Sequence, residues 1–356
     1  MKDTSVVECR ERELGFSLIE VMVSILITLV VMSAVFALLS RGQRSFDREP
    51  EVADLQQSAR NAIDAVSKDI MQAGAGLPPE FPAFGTPALG AGDGNPTDTL
   101  FIVGAVQSAS GMVLEPESVA QVTTKNGTVT MFGDTTNFLL NDIVAVYNNQ
   151  PNNVNPEWFL ARVISVVQNP GNQAFVNIAQ DIPASIPYAL YDSPTFNPAS
   201  FITDVNAGTP GAFMTKISIT QYNTIPDASG TFAPPVPEVL QRTVTQNAAI
   251  GGVTNTMGYL QDFEIGYTVG VNAPVEQNNP PVLIAGAPCD NETMVSSVRI
   301  SVTGRSISSN LQGAIEGGGG TTQDDFLRKT FSMNVNPRNI TAGFMARTVT
   351  GGCNLI

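Results

Sequence analysis

Histidine is absent from this chain of 356 residues, and its absence removes several kinds of catalytic chemistry. Without histidine there is no Ser-His-Asp or Cys-His nucleophile system, no His-ligated zinc and no general base that ordinarily titrates near neutral pH. Carboxylates are numerous, but no two of them stand in a context that marks a glycosidase-like acid/base pair. The sequence therefore predicts a protein that is not an enzyme and that needs no resident cofactor.

Basic residues are also scarce. Lys and Arg number 18 against 32 Asp and Glu, which gives a formal net charge of −14, and no basic run exceeds a dipeptide. Such a chain is poorly suited to bind the phosphates of nucleic acid. The low charged fraction, together with 31 glycines and 24 prolines, is typical of exported proteins rich in β-structure.

One long apolar run lies near the N-terminus, from Phe16 to Ser40, and Glu20 is its only charge. A helix of this length extends over roughly 37 Å, enough to span a bilayer core of about 30 Å. The run is too long for a cleavable secretory signal, and no polar break follows its small residues. An ionised glutamate in lipid costs about 2.5 kcal/mol or more, so we expect Glu20 to have a charged partner.

The residues at the start of this run, Gly15-Phe16-Ser17-Leu18-Ile19-Glu20-Val21-Met22, resemble the prepilin signature of type IV pilins and pseudopilins. The resemblance implies a leader of residues 1–15, cleavage after Gly15 by prepilin peptidase, and methylation of the new N-terminal amine of Phe16. It also implies that Glu20 pairs with the terminal amine of a neighbouring subunit. Residues 16–40 would then be a transmembrane and assembly helix.

The same resemblance implies partners and a location for a bacterial protein. The partners are prepilin peptidase, other minor and major pilins, an inner-membrane assembly platform and, before assembly, membrane lipid. The chain would cross the inner membrane once with its head in the periplasm and later reach the pilus at the cell surface.

Residues 41–76 predict an amphipathic helix that continues the anchor, with Gly42 and Pro50 as weak points or a kink. Apolar residues recur at spacings of three and four, a pattern that favours packing against the chain's own globular domain over a coiled coil. The helix is expected to end at the glycine- and proline-rich segment that begins at Gly74. Its apolar stripe consists of Val52, Leu55, Ala59, Ala62, Ile63, Val66 and Ile70.

Two further segments carry a narrower likeness. Residues 57–74 contain a predicted arginine-bearing helix that closes on Lys68-Asp69 and Ala73-Gly74. In residues 331–339 the end of a predicted strand precedes Arg338-Asn339. Both resemble PilW-like minor pilins, which implies a role in pilus initiation or at the tip. The J-type pseudopilins of type II secretion have a similar helix and remain an alternative. A singly anchored surface or periplasmic binding or adhesion protein is a second alternative.

Residues 77–356 predict a β-rich globular domain, because short β-branched and aromatic runs alternate with turn residues. The expected class is α+β, with the long N-terminal helix packed on a mainly antiparallel sheet. Lys125-Asn126-Gly127 predicts a hairpin turn, and the glycines of residues 315–321 predict a loop between the last two strands. The predicted strands are residues 99–106, 118–124, 128–132, 142–147, 158–167, 174–178, 214–222, 238–245, 260–269, 296–305 and 329–335.

Two weaker patterns complete the set of candidate sites. Asp93, Asn95 and Asp98 place oxygen ligands at the odd spacing of calcium loops, although such clusters are also common in turns. Cys9 would be lost with the leader, which leaves Cys289 and Cys353 as an even pair in an exported chain. They are predicted to form a disulfide, with two free thiols as the alternative.

Overall fold

The computed structural model describes residues 17–77, 83–85, 98–106, 117–122, 124–132, 138–148, 158–169, 173–180, 212–227, 238–249, 252–269, 275–277, 295–306 and 327–337. The chain divides into two compact units, Met1–Ala53 and Asp54–Ile356. The first unit contains the apolar part of a long helix, and the second contains its amphipathic part and the β-rich head.

The helix, α1, runs from Leu18 to Met71. It continues through both Gly42 and Pro50, the two residues at which weak points or a kink are predicted. Proline lacks a backbone N–H, and the carbonyl four residues before Pro50 therefore loses its helical donor. The helix ends where Gly74 takes a φ of 72°, a left-handed conformation that glycine adopts without a Cβ clash.

Thirteen strands follow among the described residues, and every pairing between them is antiparallel. Their bounds are β1 Phe84–Gly85, β2 Leu100–Ala105, β3 Glu117–Val122, β4 Gly127–Phe132, β5 Ile143–Asn148, β6 Trp158–Asn169, β7 Gln173–Ala179, β8 Ala212–Pro226, β9 Glu238–Thr245, β10 Val253–Val269, β11 Val275–Gln277, β12 Val295–Arg305 and β13 Arg328–Val335.

The main sheet has the order β1-β2-β8-β9-β10-β12-β13, with β11 paired to the end of β10. Its strands β12 and β13 pair over their full common length, from Val298 with Val335 to Arg305 with Arg328. The sequence prediction of a closing hairpin is thereby confirmed for the strands, whereas its glycine-rich loop lies outside the described residues.

The remaining strands, β3 to β7, form a barrel together with β8, in the order β3-β4-β7-β6-β5-β8. Closure occurs at β8, where Met214 pairs with Glu117 of β3 on one edge and with Val146 of β5 on the other. Apolar side chains fill the interior, among them Met131, Phe159 and Ile178, so the barrel is a packed core.

Strand β8 belongs to both parts of the head. Its first residues, from Ala212, complete the barrel, and its later residues, from Ile217 to Pro226, lie between β2 and β9 in the main sheet. A further apolar cluster joins the parts, because Phe101 and Ile219 of the main sheet pack with Leu160 and Trp158 of the barrel. The head is therefore one hydrogen-bonded system with two cores.

The amphipathic part of α1 packs on one face of the main sheet. Ala59, Ala62, Val66 and Ile70 are fully buried and belong to the same core as Phe263 and other sheet residues. Arg60, Asp64 and Lys68 lie exposed on the opposite side of the helix. The expected α+β class, with the helix packed on an antiparallel sheet, is confirmed.

Polar contacts fix the last turn of the helix to the sheet. Asp69 Oδ2 accepts hydrogen bonds from Arg242 Nε at 2.6 Å and from the Tyr222 hydroxyl at 2.7 Å, and its Oδ1 accepts one from Arg242 Nη2 at 3.1 Å. Burial raises the pKa of Tyr222, and the negative charge of Asp69 raises that pKa further, so the phenol stays a donor. We call Asp69, Tyr222 and Arg242 the helix clamp.

Replacing Asp69 by alanine is expected to lower the free energy of unfolding by about 2 kcal/mol, because a half-buried guanidinium and a buried phenol lose a charged acceptor. Urea unfolding of the detergent-solubilised full-length chain measures this, with the fluorescence of Trp158, the single tryptophan, as the probe. Asp64→Ala, a carboxylate removed from the exposed side of the same helix, is the matched control. Equal stability of the two variants would contradict the clamp.

Candidate functional site

The candidate site is the apolar segment at the start of α1. Leu18–Ser40 is long and apolar enough to cross a membrane. All of its large apolar side chains are exposed, from 44% at Val21 to 80% at Leu18. An apolar surface of this extent is stable in lipid or against other apolar helices but not in water.

Hydroxyl groups within this segment bond to carbonyls of their own helix. Ser24 donates to the carbonyl of Val21 at 2.9 Å, and Thr28 donates to that of Ser24 at 2.7 Å. Ser33 and Ser40 make equivalent bonds to residues three positions earlier. The hydroxyls are therefore compatible with a lipid environment. Glu20 is the one ionisable side chain from Leu18 to Ser40.

Glu20 lies in the first turn of α1, where a negative charge is favoured by the helix dipole. The backbone N–H groups of Glu20 and Val21 both donate to the carbonyl of Ser17, at 3.0 and 3.2 Å. Its side chain is exposed, and within the part of the chain that the structure describes it has no ion-pair partner. Glu20 thus places a carboxylate, with no ion-pair partner among the described residues, on the otherwise apolar segment Leu18–Ser40.

Residues 10–36 match the prokaryotic N-terminal methylation motif. The match includes Gly15, Phe16 and Glu20 and supports the type IV pilin and pseudopilin superfamily. The motif implies processing by prepilin peptidase and assembly with other pilins, and with the apolar helix it is consistent with a single-pass membrane-anchored protein. No curated protein and no solved structure matches the chain.

The other predicted site residues fall mostly outside the described part of the chain. These are the leader with Cys9, the cleavage residues Gly15 and Phe16, the calcium candidates Asp93 and Asn95, and the predicted disulfide partners Cys289 and Cys353. Their roles remain predictions.

Asp98 is described, and it has a structural role. Its side chain is only 6% exposed, its Oδ2 accepts the backbone N–H of Ile265 at 2.8 Å, and its own N–H donates to the carbonyl of Phe263 at 2.8 Å. Asp98 thus attaches the chain before β2 to β10. Among the described residues, no group of three metal-binding side chains surrounds it.

Asp262 lies close enough to Asp98 for the charge of Asp98 to affect its pKa. Burial raises the pKa of Asp262 to about 7, and the negative charges of Glu264, Asp98 and Glu238 contribute to the rise. Its Oδ1 is buried and has no hydrogen-bond partner among the described residues. The folded head therefore binds a proton at Asp262 more tightly than the unfolded chain, in which an aspartate titrates near pH 4.

We expect the contribution of Asp262 to stability to be greatest below about pH 4 and to be lost as the pH rises from there to about 7. Asp262→Asn removes the buried charge, so the variant should gain stability relative to the wild type at pH 8 and little at pH 4. Urea unfolding at both pH values measures the difference. Glu264→Gln should act in the same direction more weakly, and an Asp262→Asn effect that does not change with pH would contradict the assignment.

Proposed function

We propose that this protein is a minor pilin of a type IV pilus, most similar to the PilW group, that acts when the pilus is initiated or at its tip. The observation that carries the proposal is the combination of the methylation motif with a large two-part head. In a repeating shaft every head must fit between neighbours on all sides, whereas a head at the end of a filament has open space beyond it. A barrel added to the main sheet is easier to accommodate at such an end.

The proposal includes a specific cleavage and modification. Prepilin peptidase would cut between Gly15 and Phe16 and methylate the amine of Phe16. Intact-mass measurement of the protein co-expressed with the peptidase should show loss of residues 1–15 and the gain of one methyl group. Gly15→Val is expected to stay uncut, and an uncut wild-type chain would favour the singly anchored alternative.

Glu20 would pair with the N-terminal ammonium of a neighbouring subunit at the same depth of the apolar layer. An ammonium there neutralises the carboxylate, and any other stagger of the two helices leaves both charges unpaired in a medium of low dielectric constant. The pair thus sets the register between subunits and makes membrane insertion separable from assembly.

Glu20→Ala should insert into the membrane and be processed like the wild type, but its amount in pili sheared from cells should fall about tenfold or more. Loss of about 1.4 kcal/mol at the subunit contact lowers an association constant tenfold. Ser24→Ala is the control, because its hydroxyl bonds within its own helix. Wild-type incorporation of the Glu20→Ala protein would refute the pairing.

The pilus role itself is tested by deleting the protein in a strain that assembles type IV pili and also has type II secretion. Loss of surface pili with normal secretion is the expected result. Loss of secretion with normal pili would instead identify a J-type pseudopilin.

A further inference from the structure

A polar cavity of about 170 Å³ lies within the head, where the end of α1 meets β2, β8 and β9. One water occupies about 30 Å³, so the space admits several waters or a small molecule. The small residues Ala75, Gly104 and Ala105 contribute to its wall and leave room in it. Its polar lining consists of Asp69, Gln72, Ser218, Thr220, Arg242 and Gln246.

Several of these groups have hydrogen-bonding capacity that the described residues leave unused. Thr220 is only 7% exposed, and its hydroxyl has no hydrogen-bond partner within the described ranges. Arg242 donates to Asp69 and Tyr222 through Nε and Nη2, and its Nη1 has no hydrogen-bond partner among the described residues. Ser218 Oγ makes one long bond, 3.4 Å to the carbonyl of Gly104. A ligand hydroxyl that bonds to these groups replaces water there, and a typical hydrogen bond contributes about 0.5–1.5 kcal/mol net.

The charges in the cavity select against ionic ligands. Asp69 and Arg242 compensate each other, so an anion would face a carboxylate and a cation would face a guanidinium. The hydroxyls of Ser218 and Thr220 and the amide of Gln246 supply both donors and acceptors, which is also the property of a sugar hydroxyl. Ile102 and Val244 add apolar wall suited to the C–H groups of a sugar ring.

We propose that this cavity binds a neutral polyhydroxyl ligand of about the size of a monosaccharide. The hydroxyls of the ligand bond to Thr220, Ser218, Gln246 and Nη1 of Arg242. The helix clamp holds the guanidinium in place, so it both fastens α1 to the sheet and orients one wall of the site.

Saturation-transfer NMR tests the proposal with glucose, galactose, mannose and N-acetylglucosamine as probes. The full-length chain is kept in a detergent with a polyoxyethylene head group, because sugar-headed detergents would compete. At least one of the four sugars should receive saturation. Thr220→Val, which keeps the side-chain shape and removes the hydroxyl, should weaken its affinity about threefold to tenfold, the effect of one hydrogen bond.

Thr243→Val is the matched control, because the Thr243 hydroxyl on β9 is exposed and contacts Thr254 at 3.1 Å. It should leave the affinity unchanged. Gln246→Leu provides a second test on a side chain that is exposed and therefore tolerant of replacement. Urea unfolding followed by Trp158 fluorescence verifies that each variant is folded.

Three results would overturn the proposal. The first is no saturation of any of the four sugars. The second is binding that neither Thr220→Val nor Gln246→Leu weakens. The third is saturation of acetate in place of the sugars, which would identify an anion site. None of these results bears on the pilin proposal, because the measurement requires neither processing nor assembly.

Discussion

The head depends on one constraint: β8 forms backbone hydrogen bonds along both of its edges, first within the barrel and then within the main sheet. Its first half lies between β3 and β5, and its second half lies between β2 and β9. Lys216 stands where the surroundings change, and its Nζ lies 2.9 Å from Oδ2 of the buried Asp142, just before β5. Because the same strand closes the barrel and forms the middle of the main sheet, neither part has an independent set of backbone pairings.

Local sequence patterns were sufficient to predict most of the fold. All eleven predicted strands correspond to observed ones, because each alternates apolar and polar residues or contains a buried apolar run between turn residues. The first half of β10 was missed because Thr254, Asn255 and Thr256 are polar and exposed on both faces. The two short strands β1 and β11 have too few residues to form a pattern. The closure of the barrel was not predicted, since strand order depends on contacts distant in sequence.

The N-terminal site was recognised from sequence because its chemistry is local: one carboxylate stands in an apolar helix a few residues after a glycine. The helix clamp was not recognised, because Asp69 and Arg242 are 173 positions apart and each resembles an ordinary surface charge. In the sequence, Asp69 is distinguished only as the acidic residue at the end of the helical segment. The cavity depends on the same long-range approach of α1 to β8 and β9, so the sequence alone contained no signal for it.

Two strand glycines determine how α1 rests on the sheet. A Cβ on Gly304 would lie 3.0 Å from the side chain of Leu55, and a Cβ on Gly258 would lie 3.0 Å from that of Ser58. The helix is thus seated in a shallow depression made by β10 and β12, and rotation about its own axis would drive side chains into these strands. The direction in which the solvent-facing side of the helix points, with Arg60 and Asp64, therefore depends on the sheet as well as on the helix. A larger residue at either glycine would require Leu55 or Ser58 to shift, so the sheet limits which directions the charged side of the helix can face.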